Sequence, residues 1–220
     1  EFDTNPPLVL QEEFPMRFEA ANASICNTEG ELLFYSNGVY IANYLHQPME
    51  NGGGLVFGPF LNAWGNGGSR YPQVLLALPT SSESTLYRLL YLPIDTLAAD
   101  NVFGYDVMSF GLYSSTIDMS ENDGEGRVLT KNVPVIQDTL DNGKLTAIRH
   151  ANGRDWWVLA WEDFSNRYYR LLITPDTILN LGLQAVGDTI PSGLGQAVFS
   201  PDGTRYARLN LYQLGGDQYI

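Results

Sequence analysis

Residues 144–161 read KLTAIRHANGRDWWVLAW. Two runs rich in apolar, β-branched and aromatic residues flank Asn152-Gly153. Asn-Gly between such runs is the strongest short-range hairpin signal, because both residues accept positive φ. The stretch therefore predicts a strand, a tight turn and a second strand from Trp156 to Trp161.

Similar units recur. Ser24-Ile25-Cys26 leads through Asn27-Thr28-Glu29-Gly30 into Leu32 to Tyr35, and Val74 to Leu78 leads through Thr80 to Ser84 into Leu86 to Tyr91. Gln196 to Phe199 leads through Ser200-Pro201-Asp202-Gly203 into Arg205-Tyr206-Ala207. Taken at positions 30, 83, 153 and 203, the turn centres are 53, 70 and 50 residues apart. Repeats of about 40–50 residues with several strands each are the mark of propeller blades. The long middle interval then holds an insertion within Asp95 to Asp123. Further strands are predicted at Val39 to Asn43, Leu112 to Ile117 and Tyr168 to Thr174. No long 3.6-residue apolar period exists, and Ile94 to Val102 reads as one short helical turn. The predicted class is all-β: a propeller of four-stranded antiparallel blades. The approximate blades are 1–52, 53–125, 126–180 and 181–220 of one domain. A non-repeating β-sandwich with evenly spaced hairpins is the alternative.

The chain has 220 residues, 44% hydrophobic, which is enough for a sizeable core. Its formal charge is −13, with only Lys131 and Lys144 as lysines and no basic cluster. Nucleic acid and anionic membranes bind through Lys and Arg, so both are excluded as partners. The acidity reads as solubility in an extracellular medium, or as attraction of divalent cations. Cys26 is the only cysteine, which excludes an intrachain disulfide, and its apolar strand reads as a burial site. No run is long and apolar enough for a transmembrane helix. The opening Glu1-Phe2-Asp3-Thr4-Asn5-Pro6-Pro7 reads as the middle of a motif, as in a processed, trimmed or partial chain.

Five segments in this order carry a family resemblance: SICNTEGELLFYSNGVYIAN, HQPMENGGGL, YSSTIDMSENDGEGRVLTKNV, KLTAIRHANGRDWWVLAW and FSPDGTRYA. Together they resemble the amino-terminal, WD40-like β-propeller of large secreted proteins of Bacteroidetes that carry type IX secretion sorting domains. The resemblance spans about Phe2 to Leu214. It implies a seven-bladed ring on a secreted or cell-surface, outer membrane-associated protein. Only about four blade-sized intervals are present, so an open ring is expected. Its terminal units, Phe14 to Cys26 and Val198 to Tyr212, would need further blades or a partner chain over their edges. The resemblance implies no catalytic residue.

Residue types mark several candidate sites. Asp118-Met119-Ser120-Glu121-Asn122-Asp123-Gly124-Glu125-Gly126 begins like a calcium loop, but its glycine falls one position late and the bidentate acid is missing. It reads as a strand-to-strand turn. His46 and His150 lack a second His or Cys at ligand spacing and read as structural. Gly52-Gly53-Gly54 and Gly65-Asn66-Gly67-Gly68 lack the context of a phosphate loop. Between them, Asn51 to Ser69 reads as a long loop whose Phe57, Phe60 and Trp64 bury between blades or stack on a ligand. Asp155, Glu162 and Asp163 flank the aromatic strand, and a carboxylate pair about 5–10 Å apart can hydrolyse glycosides. Asn22-Ala23-Ser24 matches a glycosylation sequon.

The reading is a non-enzymatic extracellular binding or structural module. It has no catalytic, cofactor or metal residues, and protein or polysaccharide as partner. A carbohydrate-active hydrolase or lyase with a funnel site is one alternative. A subunit of an extracellular filament or secretion assembly is the other.

Overall fold

In the computed structural model the Lys144–Trp161 stretch forms an antiparallel hairpin of Thr146–Arg149 and Trp156–Trp161. The structure describes residue 6 and residues 14–56, 67–81, 84–98, 105–211 and 218–219. The hairpin turn differs from a two-residue Asn-Gly turn. Gly153 N–H donates to the His150 carbonyl at 2.9 Å, and Gly153 alone takes positive φ, +72°. Ala151 and Asn152 therefore form the centre of the turn. The Asn152 side-chain oxygen accepts the amides of Arg154 and Asp155. Short polar side chains compete for local backbone donors in this way and pin a turn.

The same turn recurs. Gly30 N–H bonds the Asn27 carbonyl and Gly203 N–H bonds the Ser200 carbonyl, with φ of +84° and +71°. Three of the four recurrent turns thus share one geometry. The fourth crosses residues 82 and 83, which lie outside the described residues.

Each recurrent turn joins the first two strands of a sheet. In the first, β1 (Ala23–Cys26), β2 (Leu32–Ser36), β3 (Tyr40–Asn43) and β4 (Pro48–Gly53) run as an antiparallel meander. The second begins with β5 (Leu75–Pro79) and β6 (Leu86–Tyr91). The chain then makes a separate hairpin of β7 (Ile94–Ala98) and β8 (Tyr105–Ser109). It returns as β9 (Leu112–Asp118) and β10 (Arg127–Ile136). The third is β11 (Thr146–Arg149), β12 (Trp156–Trp161), β13 (Arg167–Ile173) and β14 (Ile178–Ala185). The fourth has three strands among the described residues, β15 (Leu194–Phe199), β16 (Tyr206–Leu211) and β17 (Gln218–Tyr219).

One parallel bridge, Glu50 to Arg127, joins β4 to β10 and merges the first two sheets into eight strands. The end strands β1 and β5 lie against each other, so this sheet nearly closes on itself. An ion pair at 3.3 Å between Glu50 and Arg127 reinforces the bridge.

Two expectations change here. Ile94 to Ala98 is a strand, not a helical turn: its partner β8 supplies hydrogen bonds that a nine-residue window cannot show. Residue 125, an expected boundary, falls between β9 and β10, which pair with each other.

Side chains of successive strand groups meet in the interior. Phe34 of the first meets Tyr87 of the second edge-on at 5.5 Å. Trp156 of the third donates its indole N–H to the Pro79 carbonyl of the second. One continuous core runs through Phe34, Ile41, Leu89, Ile117, Val158 and Leu171. The opposite face of β12 turns Trp161 onto the fourth sheet, 6.2 Å from the Tyr206 ring. In that sheet Gly195 permits close strand contact, since a Cβ there would sit 1.8 Å from the Leu209 carbonyl oxygen. Gln73, just before β5, reaches across to the fourth sheet and bonds both backbone groups of Ala197.

Candidate functional site

Two places gather polar and aromatic side chains, one buried and one open. The buried one lies where the loop from β10 to β11 meets the fourth sheet. Asp141 holds Lys144 Nζ at 3.0 Å and Arg208 Nη2 at 2.8 Å. Lys144 also donates to the Gly193 carbonyl. Arg208 lies over the Trp161 ring at 4.1 Å, and Trp161 donates its indole N–H to Tyr206 Oη at 2.6 Å. Lys144 is completely buried and Asp141 is 1% exposed. Burial draws the Lys144 ammonium below its ordinary value, with Asp141 opposing the shift. Burial likewise raises the Tyr206 hydroxyl to about 12. A charge so enclosed persists only when paired, and here one carboxylate serves two cations across two sheets, with Arg208 Nη1 left buried without a hydrogen bond among the described residues. It is an internal clamp.

Asp163 borders the clamp. It accepts the Ser192 hydroxyl, and Phe164 N–H bonds the same Ser192 oxygen. This ties the turn after β12 to the segment before β15. Burial, foremost, together with the Asp141 and Asp106 charges, raises its carboxyl to about 6. A raised carboxyl is protonated in the folded chain while still ionised in the unfolded one. Stability from this group is therefore full below about pH 4 and falls as pH rises to about 6. Asp163→Asn is expected to remove that fall, with a gain of about 1–2 kcal/mol at pH 7 after solvent screening. Urea titrations at pH 4 and pH 7 check it: a variant-minus-parent difference that is equal at both pH values refutes it.

The open place lies on the outer face of the first sheet. Phe14, Phe18, Leu32, Tyr35 and Ser24 line an apolar hollow of about 210 Å³. An adjoining hollow of about 610 Å³ is lined by Asn27, Glu31, Leu32, Leu33, Tyr44, His46 and Gly124. His46 links the two. Its Nδ1 is 3.2 Å from Tyr35 Oη, and Phe14 meets its ring edge-on at 4.6 Å. The turn between β3 and β4 sets this position: Asn43 Oδ1 accepts the Leu45 and Gln47 amides, and His46 takes φ of +62°. Tyr44 is left 41% exposed at the rim. A hollow of this size with aromatic walls and a few polar groups is a common form of binding site.

Other sequence-predicted residues fall elsewhere. Asp118 accepts the Ser120 amide and hydroxyl within its own turn. Burial pushes its carboxyl up, but hydrogen bonds from Ser120 and Thr85 outweigh this and hold it below the ordinary range. Asn122 and Asp123 have φ of +53° and +55° in a tight turn that ends at Gly124. Among the described residues no three His, Cys, Asp or Glu side chains converge as metal ligands.

Asp155 is bound by Arg154 and Asn152 at one end of β12. Glu162 pairs with Arg167 at the other end. Six strand residues at about 3.3 Å each separate those ends, far beyond a hydrolytic carboxylate pair. His150 accepts the Asn152 amide and lies 5.5 Å from the Trp157 ring. Cys26, expected to be buried, is exposed: β1 is the end strand of its sheet, and the Cys26 position departs from regular register. Phe57, Phe60 and Trp64 lie outside the described residues.

Sequence reasoning missed the clamp. One signal was available, the polar alternation of Tyr206, Arg208 and Asn210 on a strand whose other face is apolar. No helix among the described residues is long and apolar enough to cross a membrane. Compared with family models, with curated proteins and with solved structures, the chain matches none.

Proposed function

We propose that the chain is part of a β-propeller acting as a non-enzymatic, extracellular binding or structural module. Its partner is a protein or a polysaccharide, held at the double hollow on the first sheet. Antiparallel strand groups in succession, three of them opened by the same kind of turn, support the blade reading. The charge balance and the family resemblance favour a secreted or surface-exposed setting.

One observation carries the binding reading. The carboxylates weighed for chemistry are each engaged by a neighbour, Asp155 by Arg154, Glu162 by Arg167 and Asp163 by Ser192, while Tyr44 and His46 stand at the rim of an open hollow. Aromatic faces with a few hydrogen-bonding neighbours suit sugar rings and extended peptides alike.

Glycan-array and pull-down screens test it, each run with parent and Tyr44→Ala. The expected result is a ligand whose binding weakens at least about tenfold in the variant, about 1.4 kcal/mol. No ligand in either screen, alongside turnover of a defined substrate, refutes it.

A further inference from the structure

The larger hollow beside the first sheet lies where three turns meet. Asn27 and Glu31 come from the β1–β2 turn, Tyr44 and His46 from the β3–β4 turn, and Gly124 from the β9–β10 turn. Five of its seven lining residues thus belong to turns, so it is a feature of the strand ends rather than of a flat stacking face. Two strand groups build it, and every lining residue is among the described ones.

The three turns carry one sign of charge. Residues 27–31 hold Glu29 and Glu31, and residues 118–126 hold Asp118, Glu121, Asp123 and Glu125. Neither they nor residues 44–47 contain a Lys or Arg. Glu31 accepts Asn27 Nδ2 at 2.8 Å, and Glu125 accepts Asn43 Nδ2 at 3.4 Å, so neutral amides fix both carboxylates beside the hollow. Among the described residues none of these six carboxylates forms an ion pair, whereas Glu19, Glu50, Asp141, Asp155 and Glu162 each do. Arg127, the nearest base along the chain, is taken by Glu50. Like charges gathered without a counter-charge repel one another and attract a cation.

Geometry selects the form of the cation. Among the described residues the acids do not converge as ligands of a metal ion. Separate carboxylates around a hollow of about 610 Å³ suit charges carried on long, flexible stems. Tyr44, exposed at the rim, offers its ring face to a guanidinium or an ammonium, and Leu32 and Leu33 offer apolar cover to the stem. An anionic polysaccharide is repelled here, and a neutral one leaves the charge uncompensated.

We propose that the larger hollow binds a basic segment of a partner protein, with Arg or Lys side chains set between Tyr44 and the carboxylates of Glu31 and Glu125. This rests on the hollow being the binding site, and it narrows the partner from protein or polysaccharide to a protein segment bearing Lys and Arg.

Fluorescence anisotropy tests it with three labelled probes: an Arg-Gly-Lys-Gly-Arg peptide, its Glu-Gly-Glu-Gly-Glu counterpart and a neutral glucan oligosaccharide. Saturable binding of the basic peptide alone is expected. Glu31→Gln combined with Glu125→Gln should weaken it at least about threefold more than Asp176→Asn combined with Asp188→Asn. The second pair removes the same charge from exposed positions after β13 and β14. Tyr44→Ala should weaken binding as well. Equal weakening in the two double variants would show attraction to net charge alone and overturn the proposal, as would no saturable binding of the basic peptide. Glucan binding that is lost in Tyr44→Ala, in place of basic-peptide binding, overturns the basic partner and leaves the hollow standing as a site. Indifference of every probe to Tyr44→Ala overturns both.

Discussion

Asp141→Ala is expected to remove about 3–5 kcal/mol of stability, a large part of the total for a domain of this size. Among the described residues Asp141 is the sole carboxylate that bonds both Lys144 Nζ and Arg208 Nη2. Without it two buried cations face each other with no bonded carboxylate, and only the Asp163 charge nearby opposes their repulsion. Chemical denaturation followed by tryptophan fluorescence measures the loss.

The pH dependence of the variant gives a second readout. Burial already lowers Lys144 below its ordinary 10.5, and removing Asp141 strengthens that effect. The folded variant then releases a proton that the unfolded chain keeps, so its stability should rise as pH rises toward 10.5. Replacing all three charges together by apolar residues of similar size should cost much less than Asp141→Ala alone, because no unpaired charge remains. A loss below about 1 kcal/mol in Asp141→Ala would show that the clamp contributes little.

Trp161→Ala should cost a similar amount, about 3–5 kcal/mol, for a different reason. The indole is 5% exposed and fills the space between the third and fourth sheets. It bonds Tyr206 Oη, lies under the Arg208 guanidinium and packs against Tyr168 at 5.1 Å. Truncation leaves a cavity and strips the cation of its aromatic face. The loss should be local before it is global. Backbone amides of β15 and β16 are expected to exchange faster, while those of β2 and β6 keep their protection. Trp161→Phe keeps a ring, loses the donor and should cost about half as much. Uniform loss of protection over all four sheets in Trp161→Ala would refute the local picture.

Much of the local structure was legible in the sequence. Residues 144–161 announced their hairpin through alternation and turn residues, and Leu112 to Ile117 showed the same two-residue period. Such signals are local, because a strand displays its pattern within its own residues. Ile94 to Ala98 failed as a reading because five residues do not distinguish a helical turn from a strand whose partner lies elsewhere. Cys26 failed because an apolar neighbourhood in sequence does not tell which face of an end strand is covered.

The candidate site was less legible still. Phe14, Tyr35, Tyr44 and His46 come from one approaching segment, a strand and a turn, and no spacing rule links them. The partners of Asp141 likewise lie three and 67 positions away, at Lys144 and Arg208. The sequence by itself determined the all-β class, the turns that open each sheet and the uneven charge, because propensity, periodicity and composition act over a few residues or over the whole chain. The meeting of distant strands in one core and the buried clamp were decided only by tertiary structure. They depend on which distant faces exclude water from one another, and that is a property of the assembled sheets.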